Sequence, residues 1–205
     1  MSRLFLTSSL AGTEKFVEKF LENQNSKTIV FIPTASVVED YTGYVDEAKA
    51  VFTALGYRVI ELDIEKISKV KAEEILNQNS IVYISGGNSF YLLQELKKKG
   101  LDSFIKNKVL EDKLIYIGES AGAIITSKNI DYSSLMDEKE KANELVDSSA
   151  LSLVDFYVVP HYKEFPFEES ADKILDVYGL ELNLKPINNH EAIVIDGDQT
   201  ITYNL

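Results

Sequence analysis

The sequence has no cysteine and no tryptophan, and only two histidines and four prolines among 205 residues. Without cysteine there is no disulfide scaffold, zinc ribbon, thiolate-held iron–sulfur cluster or thiol nucleophile. Two histidines leave little for an imidazole-based metal centre, and they restrict any neutral-pH imidazole base to His161 or His190. Positive charge is scarce. The 33 acidic and 21 basic residues give a net charge of −12, which opposes condensation onto a polyanionic backbone. Long apolar runs are missing too: no stretch approaches the roughly 18 residues of a membrane-spanning helix. The short apolar patch in MSRLFLTSSLAG lacks a signal-peptide layout and reads instead as a first strand. These absences set the expectation of a cytoplasmic protein with no nucleic-acid or membrane partner.

What is present is enough apolar material (45%) to fill a sizeable core, under an ordinary charged surface. The length fits one domain over residues 1–205. Short strand-like runs alternate with longer helical ones. RLFLT (3–7), TIVFIP (28–33), YRVIELD (57–63), SIVYI (80–84), LIYIG (114–118) and VDFYVVPH (154–161) read as strands. TIVFIP is almost wholly apolar, as suits a strand buried on both faces. Helical patterns fall at 13–23, 43–55, 70–78, after SGGNS at 85–89, and at 101–111 and 168–178. The segment 128–150, rich in acids and lysines, reads as an exposed loop with a short helix. Gly197-Asp198 can turn between two antiparallel strands at the end of the chain. This order predicts an α/β fold: a three-layer arrangement of a mostly parallel sheet flanked by helices, with right-handed crossovers.

The sharpest local feature is Gly118-Glu119-Ser120-Ala121-Gly122, between the strand-like LIYI and an apolar helix start. A tight strand-to-helix turn with flanking glycines lifts a serine hydroxyl above the sheet and turns backbone N–H groups toward a developing oxyanion. The same serine has a plain alternative role as a helix cap. Ser85-Gly86-Gly87-Asn88-Ser89 allows close backbone approach and positive φ, which suits either an anion-binding turn or an ordinary helix entry. With neither a G-x-G-x-x-G fingerprint nor a Walker lysine, a nucleotide site has weak support. His161 follows VDFYVVP, at the strand end where open α/β sheets gather their sites, and is preferred over His190 as the base. Asp131, Asp137 and Glu138 are candidates for the acid that orients the imidazole, with Asp155 less well placed. Glu119 is read as shaping or charging the pocket.

The stretches SIVYISGGNSFYLLQEL, LIYIGESAGA and VVPHY, in this order, resemble the peptidase E family of serine peptidases, which includes aspartyl dipeptidase and the cyanophycinases. The resemblance covers nearly the whole chain. It implies a fold similar to class I glutamine amidotransferases, with serine where those enzymes carry cysteine. It also implies Ser120 as nucleophile, His161 as base, Gly87 and Ala121 as oxyanion-hole donors, and Asp137, or else Asp131, as the orienting acid. The implied substrate is a short peptide; no cofactor or metal is implied, and a homodimer is compatible. The chain departs from aspartyl dipeptidase in having SGGNS for GGGNT and Glu119 for tryptophan. It also lacks an obvious match, after His161, for the arginine that binds substrate. Lys163 or Arg58 could counter the negative charge for an acidic substrate.

One alternative is a non-catalytic binding protein on the same fold. An esterase of the α/β-hydrolase type would explain the same elbow but places its histidine late, at His190. Separate His161→Ala and His190→Ala variants distinguish the two histidine assignments. The expected outcome is loss of hydrolysis in His161→Ala alone; loss only in His190→Ala would overturn the assignment.

Overall fold

The structure, a computed structural model, describes residues 2–204. Its strands are β1 (Arg3–Thr7), β2 (Thr28–Ile32), β3 (Arg58–Glu61), β4 (Ile81–Ile84), β5 (Ile115–Glu119), β6 (Tyr157–Val159), β7 (Leu184–Pro186), β8 (Glu191–Asp196) and β9 (Gln199–Asn204). The helices are α1 (Glu14–Leu21), α2 (Gly43–Ala54), α3 (Lys69–Gln78), α4 (Ser89–Lys98), α5 (Leu101–Leu110), α6 (Ala121–Ile124) and α7 (Glu168–Tyr178). The main sheet has the order β3-β2-β4-β5-β1-β8-β9. Its first five strands are parallel; β8 runs antiparallel to β1, and β9 antiparallel to β8.

The apolar runs are continuous because both faces of the parallel sheet are covered. Alternate residues divide between two cores. Phe5, Ile29, Phe31, Ile81, Tyr83, Ile115 and Ile117 pack with Val17 and Phe20 of α1 and Ala48 and Phe52 of α2. Leu4, Leu6, Val30, Ile32, Val82, Ile84 and Tyr116 pack with residues of α3 to α7. The architecture is therefore the expected α/β type with a mostly parallel sheet between helices. The C-terminal tail adds the antiparallel pair at the edge, turning at Gly197, which has φ +61°.

Two expectations are corrected. VDFYVVPH does not join the main sheet: only Tyr157–Val159 is extended, and it pairs with β7 in a separate two-stranded parallel sheet. The place beside β1 is taken by β8, whose Ala192–Asp196 lies along Arg3–Thr7. The 128–150 segment is less exposed than its composition suggests. It holds two short 3-10 turns, Asp131–Leu135 and Lys139–Ala142, and buries Tyr132, Ser133 and Ala142. Among the described residues, no helix is long and apolar enough to cross a membrane.

The junction of β5 with α6 is packed without slack. A Cβ added at Gly122 would lie 2.2 Å from the Ile84 carbonyl oxygen on β4. Gly122→Ala is therefore expected to destabilise the protein by about 1–3 kcal/mol through overpacking against backbone. Urea unfolding followed by circular dichroism checks this; a midpoint equal to wild type would contradict the close approach.

Candidate active site

β5 ends at Glu119 and α6 begins at Ala121, so the chain reverses direction at Ser120 alone. Ser120 adopts φ 47°, ψ −106°, a region that a residue with a Cβ avoids. Such strain costs about 1–3 kcal/mol and persists only where the surroundings over-determine it. Here they do. The Ser120 N–H donates to the Thr7 carbonyl on β1 at 2.8 Å, and the Ser120 carbonyl accepts from Ala123 and Ile124 at 2.8 and 2.9 Å.

His161 is held just as firmly. Its φ is 57°, and its N–H donates to Ser8 Oγ at 3.0 Å. The Ser8 hydroxyl in turn donates to the Ile187 carbonyl at 2.9 Å. The imidazole Nε2 lies 2.9 Å from Ser120 Oγ, and Nδ1 lies 2.8 Å from Asn189 Oδ1. With an amide oxygen facing Nδ1, that nitrogen carries the ring proton, and the Nε2 lone pair faces the serine hydroxyl. The Phe167 ring stacks on the imidazole, with centroids 4.8 Å apart and planes 24° apart. Burial pushes the His161 pKa below its ordinary value, against the opposing effects of the Asn189 bond and the Glu164 carboxylate. Glu164 also accepts from the Asn189 N–H at 3.3 Å.

Asp137 is not the partner of this ring. Its carboxylate accepts from the Ser89 N–H at 2.9 Å, at the start of α4, where a free helix-end donor needs an acceptor. Burial raises its pKa to about 6, against the lowering effect of the Ser89 bonds. Asp131 is exposed and pairs with Lys139 at 3.5 Å. Glu138 and Asp155 are exposed as well. His190 is exposed, and its N–H donates to Asn188 Oδ1 at 2.8 Å. The residue that sequence reasoning missed is Asn189. Nothing in the polar run NNHE sets one asparagine apart from the other.

The glycine turn after β4 borders the serine. A Cβ added at Gly86 would stand 3.3 Å from Ser120 Cβ. Gly87 has φ +126°, and a Cβ there would meet the Ala35 carbonyl oxygen at 2.2 Å, so only glycine fits. Asn88 closes the turn by capping α4: its Oδ1 accepts from the Tyr91 N–H at 2.9 Å, and its Nδ2 donates to the Glu138 carbonyl at 3.0 Å. Ala121, the first residue of α6, has an N–H with no acceptor inside the helix. Lys163 is exposed, with its ammonium 5.0 Å from the Tyr162 ring centroid. Arg58 begins β3 and so lies at the end of the parallel strands opposite Ser120. Among the described residues, no group of three or more histidine, aspartate or glutamate side chains is placed to hold a metal ion.

This geometry sets expected outcomes for labelling of Ser120 by a serine-directed phosphonate. Asn189→Ala is expected to slow labelling by roughly tenfold or more, because the imidazole loses its fixed tautomer. Asp137→Asn is expected to label at a rate close to wild type. Because the His161 pKa is lowered, the neutral ring persists into mild acid, and the contribution of His161 to the fall in labelling rate should lie below the ordinary histidine value of about 6.5. Rates measured across pH 4–9 check all three.

Residues 3–203 match the model of peptidase family S51. An uncharacterised peptidase of Listeria monocytogenes is 46% identical over 205 residues, covering 100% of both chains. An uncharacterised peptidase of Pasteurella multocida is 46% identical over 201 residues, covering 98% of this chain and 97% of its own. A crystal structure of a protein from Listeria monocytogenes described as peptidase E superposes with a TM-score of 0.94, at 46% identity, covering 100% of this chain and 99% of that one. The family model spans the elbow, the histidine and the glycine turn alike, and with them the chain belongs to peptidase family S51 and is a serine-type peptidase.

Proposed function

We propose that this chain hydrolyses peptide bonds in short peptides, with Ser120 as nucleophile, His161 as general base and Asn189 as the residue that orients the imidazole. The observation that carries this reading is the continuous chain of contacts from Ser120 Oγ to His161 Nε2 (2.9 Å) and from His161 Nδ1 to Asn189 Oδ1 (2.8 Å). His161 takes the serine proton as Oγ attacks the scissile carbonyl. The N–H groups of Gly87 and Ala121 receive the oxyanion, and His161 then protonates the leaving amine. Water, activated by the same imidazole, releases the acyl group in the second half-reaction.

An amide in the orienting position fixes the tautomer as a carboxylate would, but it adds no full negative charge to stabilise the imidazolium. Glu164, whose carboxylate raises the His161 pKa and anchors the Asn189 backbone, supplies part of that charge at a distance. The two arginines of the sequence, Arg3 and Arg58, each begin a parallel strand, at the end of the sheet away from Ser120. Recognition of an acidic first residue through an arginine of this chain therefore has no support, and peptides with neutral first residues are the proposed substrates. The absence of cysteine suits work in a reducing cytoplasm.

A library of di- to tetrapeptides with varied first residues, incubated with wild type and Ser120→Ala, tests the proposal. The expected result is cleavage of peptides with neutral first residues, abolished in Ser120→Ala. Cleavage restricted to an N-terminal aspartate would overturn the substrate assignment. The absence of both cleavage and phosphonate labelling in wild type would overturn the proposed reaction.

A further inference from the structure

The residue before the nucleophile carries a carboxylate where the sheet offers an apolar layer. Alternation along β5 puts Glu119 on the same face as Ile115 and Ile117, toward α1 and α2, and it is only 4% exposed. Among the described residues Glu119 forms no ion pair, and the side chains that face it are the hydroxyl of Tyr83 on β4, Tyr44 on α2 and the carboxylate of Glu47, also on α2. An ion pair therefore does not explain its presence.

Its hydrogen bonds do. Oε1 accepts from the Leu10 N–H at 2.8 Å and Oε2 accepts from the Tyr83 hydroxyl, while the backbone N–H of Gly86 faces the carboxylate and favours its charged form. Each backbone donor belongs to a different part of the site. Leu10 lies in the segment leaving β1, whose Thr7 carbonyl holds the Ser120 N–H and whose Ser8 hydroxyl holds the His161 N–H. Gly86 belongs to the turn that borders Ser120 and leads into Gly87.

We propose that Glu119 is a positioning residue: its buried carboxylate ties the segment leaving β1 and the Gly86-Gly87 turn to the residue preceding Ser120, and so fixes the spacing of nucleophile, base and oxyanion donors. This rests on the peptidase reading of Ser120 and adds to it.

The ionised form accepts from Leu10 and Tyr83 and is favoured by the Gly86 N–H. The protonated form turns one oxygen into a donor, which must give up or turn away one of them. Burial raises the Glu119 pKa to about 7, against the lowering effects of Tyr83, Leu10 and Gly86, so the charged form develops across the neutral range. The effect on folding has the opposite sign. A carboxyl whose folded pKa is raised contributes most stability below its unfolded value, about 4.5, and loses that contribution as pH rises toward 7. Catalysis thus favours the charged form of Glu119, whereas folding favours the neutral one.

Glu119→Gln separates these effects, with Tyr83→Phe as a milder perturbation and Ser120→Ala as the inactive control. Peptide hydrolysis, phosphonate labelling and thermal unfolding are measured across pH 5–9. The expected result for Glu119→Gln is a fall in kcat of roughly tenfold or more from misplaced groups, with KM little changed. Its Tm at pH 8 should equal or exceed that of wild type, and the ionisation near pH 7 should vanish from the pH profile, leaving the lower one of His161. Tyr83→Phe should lower kcat less. A wild-type kcat and pH profile in Glu119→Gln would overturn the proposal. So would a loss of activity matched by a loss of folded protein, which marks a structural role, or a change confined to KM, which marks a substrate contact. If wild type neither hydrolyses peptides nor labels, the peptidase reading fails and this proposal fails with it. If wild type is active and Ser120→Ala is not, an unaffected Glu119→Gln removes the role of Glu119 alone.

Discussion

The Ser120 N–H reaches across the boundary between β5 and β1 to the Thr7 carbonyl at 2.8 Å, and that bond holds a serine in a conformation its Cβ disfavours. Two strands must flank β5 for this to work. β1 supplies the acceptor at the level where Thr7 stands beside Glu119, and β4 supplies the surface against which Gly122 closes. The parallel core therefore does more than bury apolar area. It clamps the one-residue reversal from strand to helix from both sides, and the hydroxyl turned toward His161 is the consequence.

The His161 imidazole is held by parts of the chain distant in sequence. Ser8 anchors the His161 backbone, Asn189 its ring nitrogen, and Phe167 its face. Each contact is short-ranged and directional, so the imidazole has one orientation toward Ser120. The electrostatics of the site are restrained as well: burial keeps the ring uncharged, and the Asn189 bond and the nearby carboxylate of Glu164 partly offset that effect.

Much of this was legible in the linear sequence. The continuous apolar runs at 28–32, 81–84 and 115–118 mark strands buried on two faces, since a strand with one wet face would alternate. Helix entry after SGGNS and the elbow at Gly118-Glu119-Ser120-Ala121-Gly122 are equally local signals, because each depends on residues within one turn of chain. Residues 154–161 carried an equally apolar pattern, yet Tyr157–Val159 pairs outside the main sheet. Apolar periodicity reports burial but not which edge remains free, and β8 had taken the edge of β1. Asp137 fitted a search for an acid between serine and histidine, but its carboxylate serves the start of α4.

The sequence by itself determined the chemistry available: no thiol, a serine at a glycine-flanked elbow, two histidines to choose between, and a chain of alternating strands and helices. Those properties follow from residue identity and short-range spacing. The tertiary structure alone decided that Asn189, 28 residues beyond His161, meets the imidazole, and that the Glu119 carboxylate reaches Leu10, 109 residues before it. A hydrogen bond depends on an approach of about 3 Å and on direction. Neither is written in the local sequence; both arise only when β1, β4 and β5 and the segment leading into β8 are packed side by side.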